Sequence, residues 1–400
     1  MPLAALRPFI IRGISYRWLL VLTLGFTETV SWGVLYYAFS VFVEPMQAEL
    51  GWSRAQITGA FSLAIVVLGL AGVPVGHWLD RRGPRLLMTA GSVLGVALVL
   101  AWSAVGDLAT FYALWAVMGV CWSATLYAPA FATVTAHFRD RRTEALTAVT
   151  LMAGLASTIF LPLAAWLVGP LGWRTALVAL ALVLAVATIP AHALVLRRAR
   201  LLPQHEQEAS LSLREALAHP SFRWLALGFG CFALGLGLNV HLVPYLGGRG
   251  FDLTTAATAA GLVGAMQLVG RIFLAPLERR LRPAVLIALV YGLQPLAIVV
   301  LLLGPAAAAP WIFVVLFGAG RGADTLIRNT VVARLYGPRR FASISAVLSL
   351  VITAAWAGGP VGLGAIYDTF GGYEIGLWIV AAASVVAAIA VSAATRHGRG

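Results

Sequence analysis

The sequence predicts an all-α membrane protein of twelve transmembrane helices, arranged as two six-helix pseudo-repeats. Three observations lead there. Of 400 residues, 60% are hydrophobic and 11% charged, whereas about a quarter charged is usual for a soluble domain. The apolar residues come in long runs of roughly 20 or more, the length that crosses a hydrocarbon core as a helix. The basic residues gather on alternate connections between those runs. A net charge of +13 in a soluble chain would suggest nucleic acid as partner, but this distribution points to a lipid bilayer instead. All 28 basic residues are arginine.

Hydropathy places the first span at 17–42, where Arg7, Arg12 and Arg17 precede an apolar run too long for a signal-peptide core. The second and third, 55–79 and 86–106, flank a charged loop in which Gly83-Pro84 forces a turn. The fourth to sixth follow at 109–135, 142–168 and 173–196. The polar stretch 197–221 reads as a cytoplasmic linker: Ser212-Leu213-Arg214-Glu215 has capping-box spacing for a short amphipathic helix, and Pro220 ends it. Six more spans fall at 222–247, 254–278, 283–304, 309–335, 340–367 and 374–394. The expected domains are therefore a six-helix bundle over 1–196, the linker 197–221 and a second bundle over 222–400. With the N-terminus inside, 22 arginines fall in cytoplasmic segments, three in outer loops and three within spans. The positive-inside rule then puts both termini in the cytoplasm, in a cytoplasmic (inner) membrane. Cys121 and Cys231 lie in apolar runs and read as buried thiols.

The halves repeat at an offset of 198 positions: Asp80-Arg81-Arg82 maps onto Glu278-Arg279-Arg280, Arg141-Arg142 onto Arg339-Arg340, and Pro162 onto Pro360. The loop after the second span reads Gly76-x-x-x-Asp80-Arg81-x-Gly83-x-Arg85. A simple basic turn at a membrane surface needs neither the aspartate nor the glycine spacing. At this place between two spans, the pattern resembles the signature loop of the major facilitator superfamily, and parallel six-helix repeats are how such transporters are built.

Three shorter pieces resemble the monocarboxylate transporter branch and its bacterial relatives: Gly51-Trp52-Ser53-Arg54, Phe138-Arg139-Asp140-Arg141-Arg142 with Ala145 and Leu146, and Gly172-Trp173-Arg174. The branch's first-span pattern is loosely echoed by Glu28-Thr29-Val30-Ser31-Trp32-Gly33. The resemblance implies a secondary active transporter that moves a small organic anion, a monocarboxylate, by alternating access between the two bundles, with proton symport as one option. It implies that Asp80, with Gly76, Arg81, Gly83 and Arg85, holds the cytoplasmic side closed by pairing near the start of the eleventh span or with Arg141 and Arg142.

Ionisable groups within spans cost about 2.5 kcal/mol or more to insert, so each needs a partner, a wet cavity or a role. Glu28 sits in the first span, one turn before Trp32; Asn239 and His241 in the seventh; Gln267 and Arg271 four apart on one face of the eighth; Arg321, Asp324 and Arg328 on one face of the tenth. A guanidinium keeps its charge and can take a carboxylate with two parallel hydrogen bonds. The branch resemblance makes Arg271 the substrate-carboxylate anchor, and Gln267 stands where the branch carries a proton-bearing aspartate, which takes away that coupling route. Arg271 can equally pair with Asp324 or Glu28. Asp324 can bridge Arg321 and Arg328 within its helix, and the surplus positive charge of that group favours an anion. Glu28 is either a proton carrier or a fixed partner of Arg271 or Arg321. His241 reads as a neutral imidazole with both nitrogens bonded, or as a coupling group.

The candidate substrate residues are thus Arg271, Gln267, Arg321, Asn239, His241 and Trp32, with Glu28, Asp324 and Arg328 as a charge network. A rival within the same class is an exporter of apolar drugs or metabolites, lined by some of the 13 tryptophans. A rival from another class is a non-transporting membrane sensor, against which stands the lack of any extramembrane segment large enough to signal. No enzyme activity, cofactor, metal or nucleic-acid partner is expected, and the chain is expected to act as a monomer.

Overall fold

The computed structural model describes residues 15–138, 140–196 and 220–397; the capping-box helix expected at Ser212, and Arg139, lie outside them. Every regular element among the described residues is helical, and 11 helical segments are long and apolar enough to cross a membrane. One of these, Arg142–Val195, has 54 residues. At 1.5 Å per residue it is far longer than one crossing of about 30 Å needs. Its backbone breaks at Gly172, where φ is +71°. The break falls between the expected fifth and sixth spans, and counting the segment as two gives the expected twelve. Ala309–Phe370 is one helical stretch carrying two apolar segments, Ala309–Val332 and Val347–Phe370, the tenth and eleventh spans.

Local chemistry sets the ends. Ser53 opens the second span, Arg54–Arg82, with a capping box: its hydroxyl accepts from the Gln56 N–H, and Gln56 Oε1 accepts from the Ser53 N–H at 2.9 Å. Asp252 caps the eighth span, Leu253–Arg280, by accepting from the Thr255 N–H at 2.9 Å, and Asp107 caps the fourth in the same way through Thr110. These hydrogen bonds hold both carboxyls below the usual aspartate range. Gly83, at φ +77°, turns the chain between the second span and Pro84, which begins the third, Pro84–Ser103. The first span runs on to Leu50 rather than ending near residue 42, because helix continues through the polar Glu44–Glu49 segment beyond the apolar run.

Three spans are broken at depth. The first passes from α-helix Tyr16–Ser31 through a π turn, Trp32–Tyr37, to α-helix Phe39–Leu50. The fourth breaks at Leu126, between Leu108–Thr125 and Tyr127–His137. The seventh passes through a 3-10 turn at Leu234–Gly237, between Pro220–Ala233 and Leu238–Gly248. Irregular backbone at membrane depth is tolerated where it is buried in protein or lines a cavity.

Helices of the first half of the chain meet those of the second along two seams. Where the second span meets the eleventh, Asp368 accepts from the backbone N–H groups of Arg54 (3.0 Å) and Ala55 (2.7 Å). A carboxylate there also complements the positive end of the helix dipole. Farther along, a Cβ added to Gly364 would lie 3.0 Å from Ala55 Cα and 2.6 Å from Thr58 Oγ1, and the Val361 N–H donates to Ser62 Oγ at 3.3 Å. Where the fifth meets the eighth, the hydroxyls of Ser157 and Thr158 donate to the Gly261 carbonyl at 3.0 and 2.8 Å. A Cβ on Gly264 would come within 2.7 Å of the Gly154 carbonyl.

Both seams part toward the arginine-rich end. Gly69 still meets Thr353 at 3.5 Å, but Cβ atoms on Gly72 and Gly76 would meet no described atom within 4 Å. On the eighth span Leu268 still reaches the fifth, 2.5 Å from where a Cβ on Gly154 would lie; Arg271 is half-buried and Ile272 and Phe273 are exposed. Among the described residues the halves are in contact at the arginine-poor end and apart at the other.

Candidate functional site

The π turn of the first span turns a group of rings toward the space between the halves. Trp32 lies 5.1 Å from Tyr36, 6.2 Å from Tyr37 and 5.1 Å from Tyr127 between ring centroids. Tyr127 starts the second segment of the broken fourth span and stacks on Phe131 at 4.9 Å. Across the gap, the Trp356 indole N–H of the eleventh span donates to the Tyr36 hydroxyl at 3.0 Å, and Asn239 of the seventh also reaches that hydroxyl.

Glu28 lies at the back of this group. It is fully buried, and neither carboxyl oxygen has a hydrogen-bond partner among the described residues. It faces the Trp32 indole N–H, which approaches the carboxyl without reaching hydrogen-bond geometry. Arg271 approaches from the other half. Its guanidinium forms no ion pair or hydrogen bond with a described residue, and it lies within electrostatic range of the Tyr37 and Tyr127 hydroxyls, as Glu28 does of Tyr127. Neither Glu28 nor Asp324 is its fixed partner here. Gln267, one turn before it, is half-buried, with no side-chain hydrogen bond among the described residues.

The tenth-span group is arranged differently from a local ion triad. Asp324 makes no ion pair with a described residue; it accepts from the Tyr291 hydroxyl at 2.7 Å. Arg321 donates to the Phe232 carbonyl at 3.1 Å and to Gln294 Oε1 at 3.3 Å, with its guanidinium 5.0 Å over the Phe232 ring. Gln294 is oriented in turn by donating to Ser384 Oγ at 2.7 Å. Arg328 shares a small cavity with Arg321 and Asp324, lined otherwise by apolar residues such as Phe229 and Leu236. So Arg321 is committed to neighbours of its own half, whereas Arg271 is not.

His241 belongs to the closed end. Nε2 donates to the Pro360 carbonyl at 2.7 Å, and Nδ1 lies 2.9 Å from the Tyr373 hydroxyl, which it can accept as a neutral ring. That hydroxyl accepts from Arg54 Nη1 at 2.6 Å, and the Arg54 guanidinium also sits 3.7 Å over the Tyr367 ring. Both ring nitrogens of His241 thus have bonded partners.

The signature-loop residues sit at the open end. Asp80, Arg81 and Arg85 are exposed, Arg82 lies 4.4 Å over the Trp78 ring, and Asp80 forms no ion pair with a described residue. Arg141 is engaged bidentately by Glu144 three residues on, which raises its own pKa, and Arg142 is exposed. The side chains of Arg339 and Arg340, their repeat equivalents, lie outside the description. Gly83, at φ +77°, makes the turn, whereas a Cβ on Gly76 would meet no described atom within 4 Å.

Sequence reasoning missed several of these groups. Tyr36, Tyr37, Tyr127 and Trp356 are ordinary span residues until the breaks bring them together. Gln294 and His192 are polar groups inside spans that a search confined to charge passes over; His192 is buried between Ser92 Oγ (2.8 Å) and Thr27 Oγ1 (3.0 Å) and ties together three helices of the first half. Asp368 had no signal at all, because its partner lies 314 positions away.

Residues 21–323 match the family model of the Major Facilitator Superfamily. The chain is 28% identical over 396 residues to monocarboxylate transporter 13 of Rattus norvegicus, an alignment covering 96% of this chain and 90% of that protein. Among solved structures it resembles an inward-facing, occupied bacterial homolog of the human lysosomal transporter Spinster, at TM-score 0.76 and 19% identity over 96% of this chain and 98% of that one. It also resembles the nucleoside transporter NupG, at TM-score 0.78 and 13% identity over 95% of this chain and 100% of that one.

Proposed function

The chain belongs to the major facilitator superfamily, as a membrane carrier and not an enzyme, and we propose that it moves a small monocarboxylate across the cytoplasmic membrane by alternating access. The bundles 1–196 and 222–400 are the rocking units, both termini are cytoplasmic, and the state described is open to the cytoplasm. The observation that carries the reading is Arg271: a permanent charge within its span, unpaired with any described residue and within electrostatic range of the phenols of Tyr37 and Tyr127. An intramembrane charge left without a partner is expensive unless a ligand supplies one. The similarity to monocarboxylate transporter 13 supports a carboxylate as that ligand.

Glu28 is the group for a coupling proton. It faces the same ring cluster from the opposite half, and no cation pairs with it among the described residues, so a proton is what neutralises it. Gln267 takes no part in proton transfer, having no acid.

Two measurements test this. Arg271→Lys keeps the charge but loses the two-pronged geometry; losing a hydrogen bond to a charged group costs about 1.5–3 kcal/mol, roughly a ten- to hundred-fold weaker binding of the acid. Arg271→Gln should abolish binding, both variants keeping the wild-type melting temperature. Stable variants that bind as tightly as wild type remove Arg271 from the site. Orientation is read by single cysteines at Arg139 and Asp107, in a background without Cys121 and Cys231: the first labels from the cytoplasm and the second from outside. Labelling of both from one side ends the twelve-span topology.

A further inference from the structure

Of the rings that surround the Arg271 gap, Trp32, Tyr37 and Tyr127 are only half-buried, so they form an apolar wall in contact with the open side. Their arrangement is braced from behind. Tyr127 is backed by Phe131, stacked at 25°, and Tyr37 by the edge of the fully packed Tyr36, at 5.0 Å and 86°. Trp32 leans at 43° to both Tyr37 and Tyr127, leaving an angular recess and not a closed ring stack. The hydroxyls of Tyr37 and Tyr127 have no hydrogen-bond partner among the described residues, yet both feel the Arg271 charge. Three half-buried, braced ring faces and two phenols thus form one recess that lies within electrostatic range of a cation.

A short aliphatic acid would satisfy the cation and leave the rings wet. An aromatic body would cover them in the offset or edge-on geometry that ring pairs prefer, with the carboxylate still reaching Arg271. We propose that this site selects aromatic carboxylates, with Trp32, Tyr37 and Tyr127 as the specificity-determining residues and the two phenols donating to the carboxylate lone pairs that the guanidinium fork leaves free. The inference rests on the carboxylate reading above and narrows it.

The test uses the purified full-length chain and four probes, propionate, benzoate, phenylacetate and the neutral phenylacetamide, by calorimetry and then by uptake into proteoliposomes. Phenylacetate should bind about ten-fold or more tighter than propionate, since ring contacts beyond simple burial add to the apolar gain. Phenylacetamide should bind far more weakly than phenylacetate. In Trp32→Leu and Tyr127→Leu the phenylacetate-to-propionate ratio should fall toward one, and Tyr127→Phe, which keeps the ring and is the safer fold, should retain most of it. Arg271→Lys should weaken all three acids alike. Equal binding of propionate and phenylacetate by the wild-type chain, with Arg271→Lys still weakening both, overturns the aromatic preference and spares the carboxylate reading. Phenylacetamide binding as well as phenylacetate overturns both and favours a carrier of apolar compounds. Absence of binding by every acid also overturns both.

Discussion

The two ends of the seam between the second and eleventh spans are built from similar residues and behave in opposite ways. Both carry glycines on the second span, or facing it, and both carry an aspartate beside an arginine. At the closed end, Asp368 caps the start of the second span and Arg54 is pinned between two tyrosines. At the other end, Asp80 has no ion pair among the described residues and no described atom lies within 4 Å of a Cβ on Gly72 or Gly76. Glycine and opposite charge mark places where helices can meet; they do not say whether they are meeting. What differs is geometry: one aspartate sits across the seam from backbone donors, and the other sits on its own side of an open gap.

The sharpest way to break this comparison is to put bulk at both ends. Gly364→Leu drives a side chain into Ala55 and Thr58, and overpacking of this kind costs about 1–3 kcal/mol. The expected result is a lower melting temperature, or a population shifted away from closure at the arginine-poor end. Gly72→Leu, in open space, should change the melting temperature by no more than a typical surface substitution, within about 0.5 kcal/mol. Equal losses would mean that both ends are packed.

Of comparable size is the effect of Arg54→Gln, which removes the charged donor to Tyr373 and the guanidinium over Tyr367. Hydrogen bonds to charged groups contribute about 1.5–3 kcal/mol, so cysteines placed at Thr58 or Ser62 should become measurably more reactive from the arginine-poor side. Unchanged reactivity would leave Asp368 and the glycine contacts as sufficient closure.

The smallest effect on stability is expected for Asp80→Asn, since that carboxylate has no ion partner to lose among the described residues. Its melting temperature should match wild type while transport falls and the open-end population rises, because the charge is needed only when that end closes. A clear drop in melting temperature would show that Asp80 is engaged already.

Spans, loops and the signature motif were legible because each is written locally: a run of apolar residues long enough to cross a bilayer, a Gly-Pro turn, a set of arginines within a few positions. The intramembrane groups were legible as candidates but not as pairs. Asp324 could be seen to share a face with Arg321 and Arg328, yet its partner is Tyr291, 33 positions back in another helix. Helical spacing says which side chains can touch along one helix and is silent about a better partner across a helix boundary. Arg321 was read as surplus charge for the same reason; the Phe232 carbonyl it binds is freed where the seventh span leaves α-helical geometry, and nothing in the residue types around Leu234 announces that change.

The π turn in the first span carries a consequence for anyone probing this chain position by position. The Ala38 N–H bonds the Gly33 carbonyl, five residues back, where an α-helix would reach back four. The turn therefore holds one residue more than its neighbours, and a helical ruler laid from Tyr16 falls out of phase once it passes Ser31. Reactivity measured along this helix should follow one periodic wave up to Trp32 and a second, shifted wave from Phe39 onward. Fitted with a single wave, the data would turn every residue from Phe39 onward by about 100° from its true face.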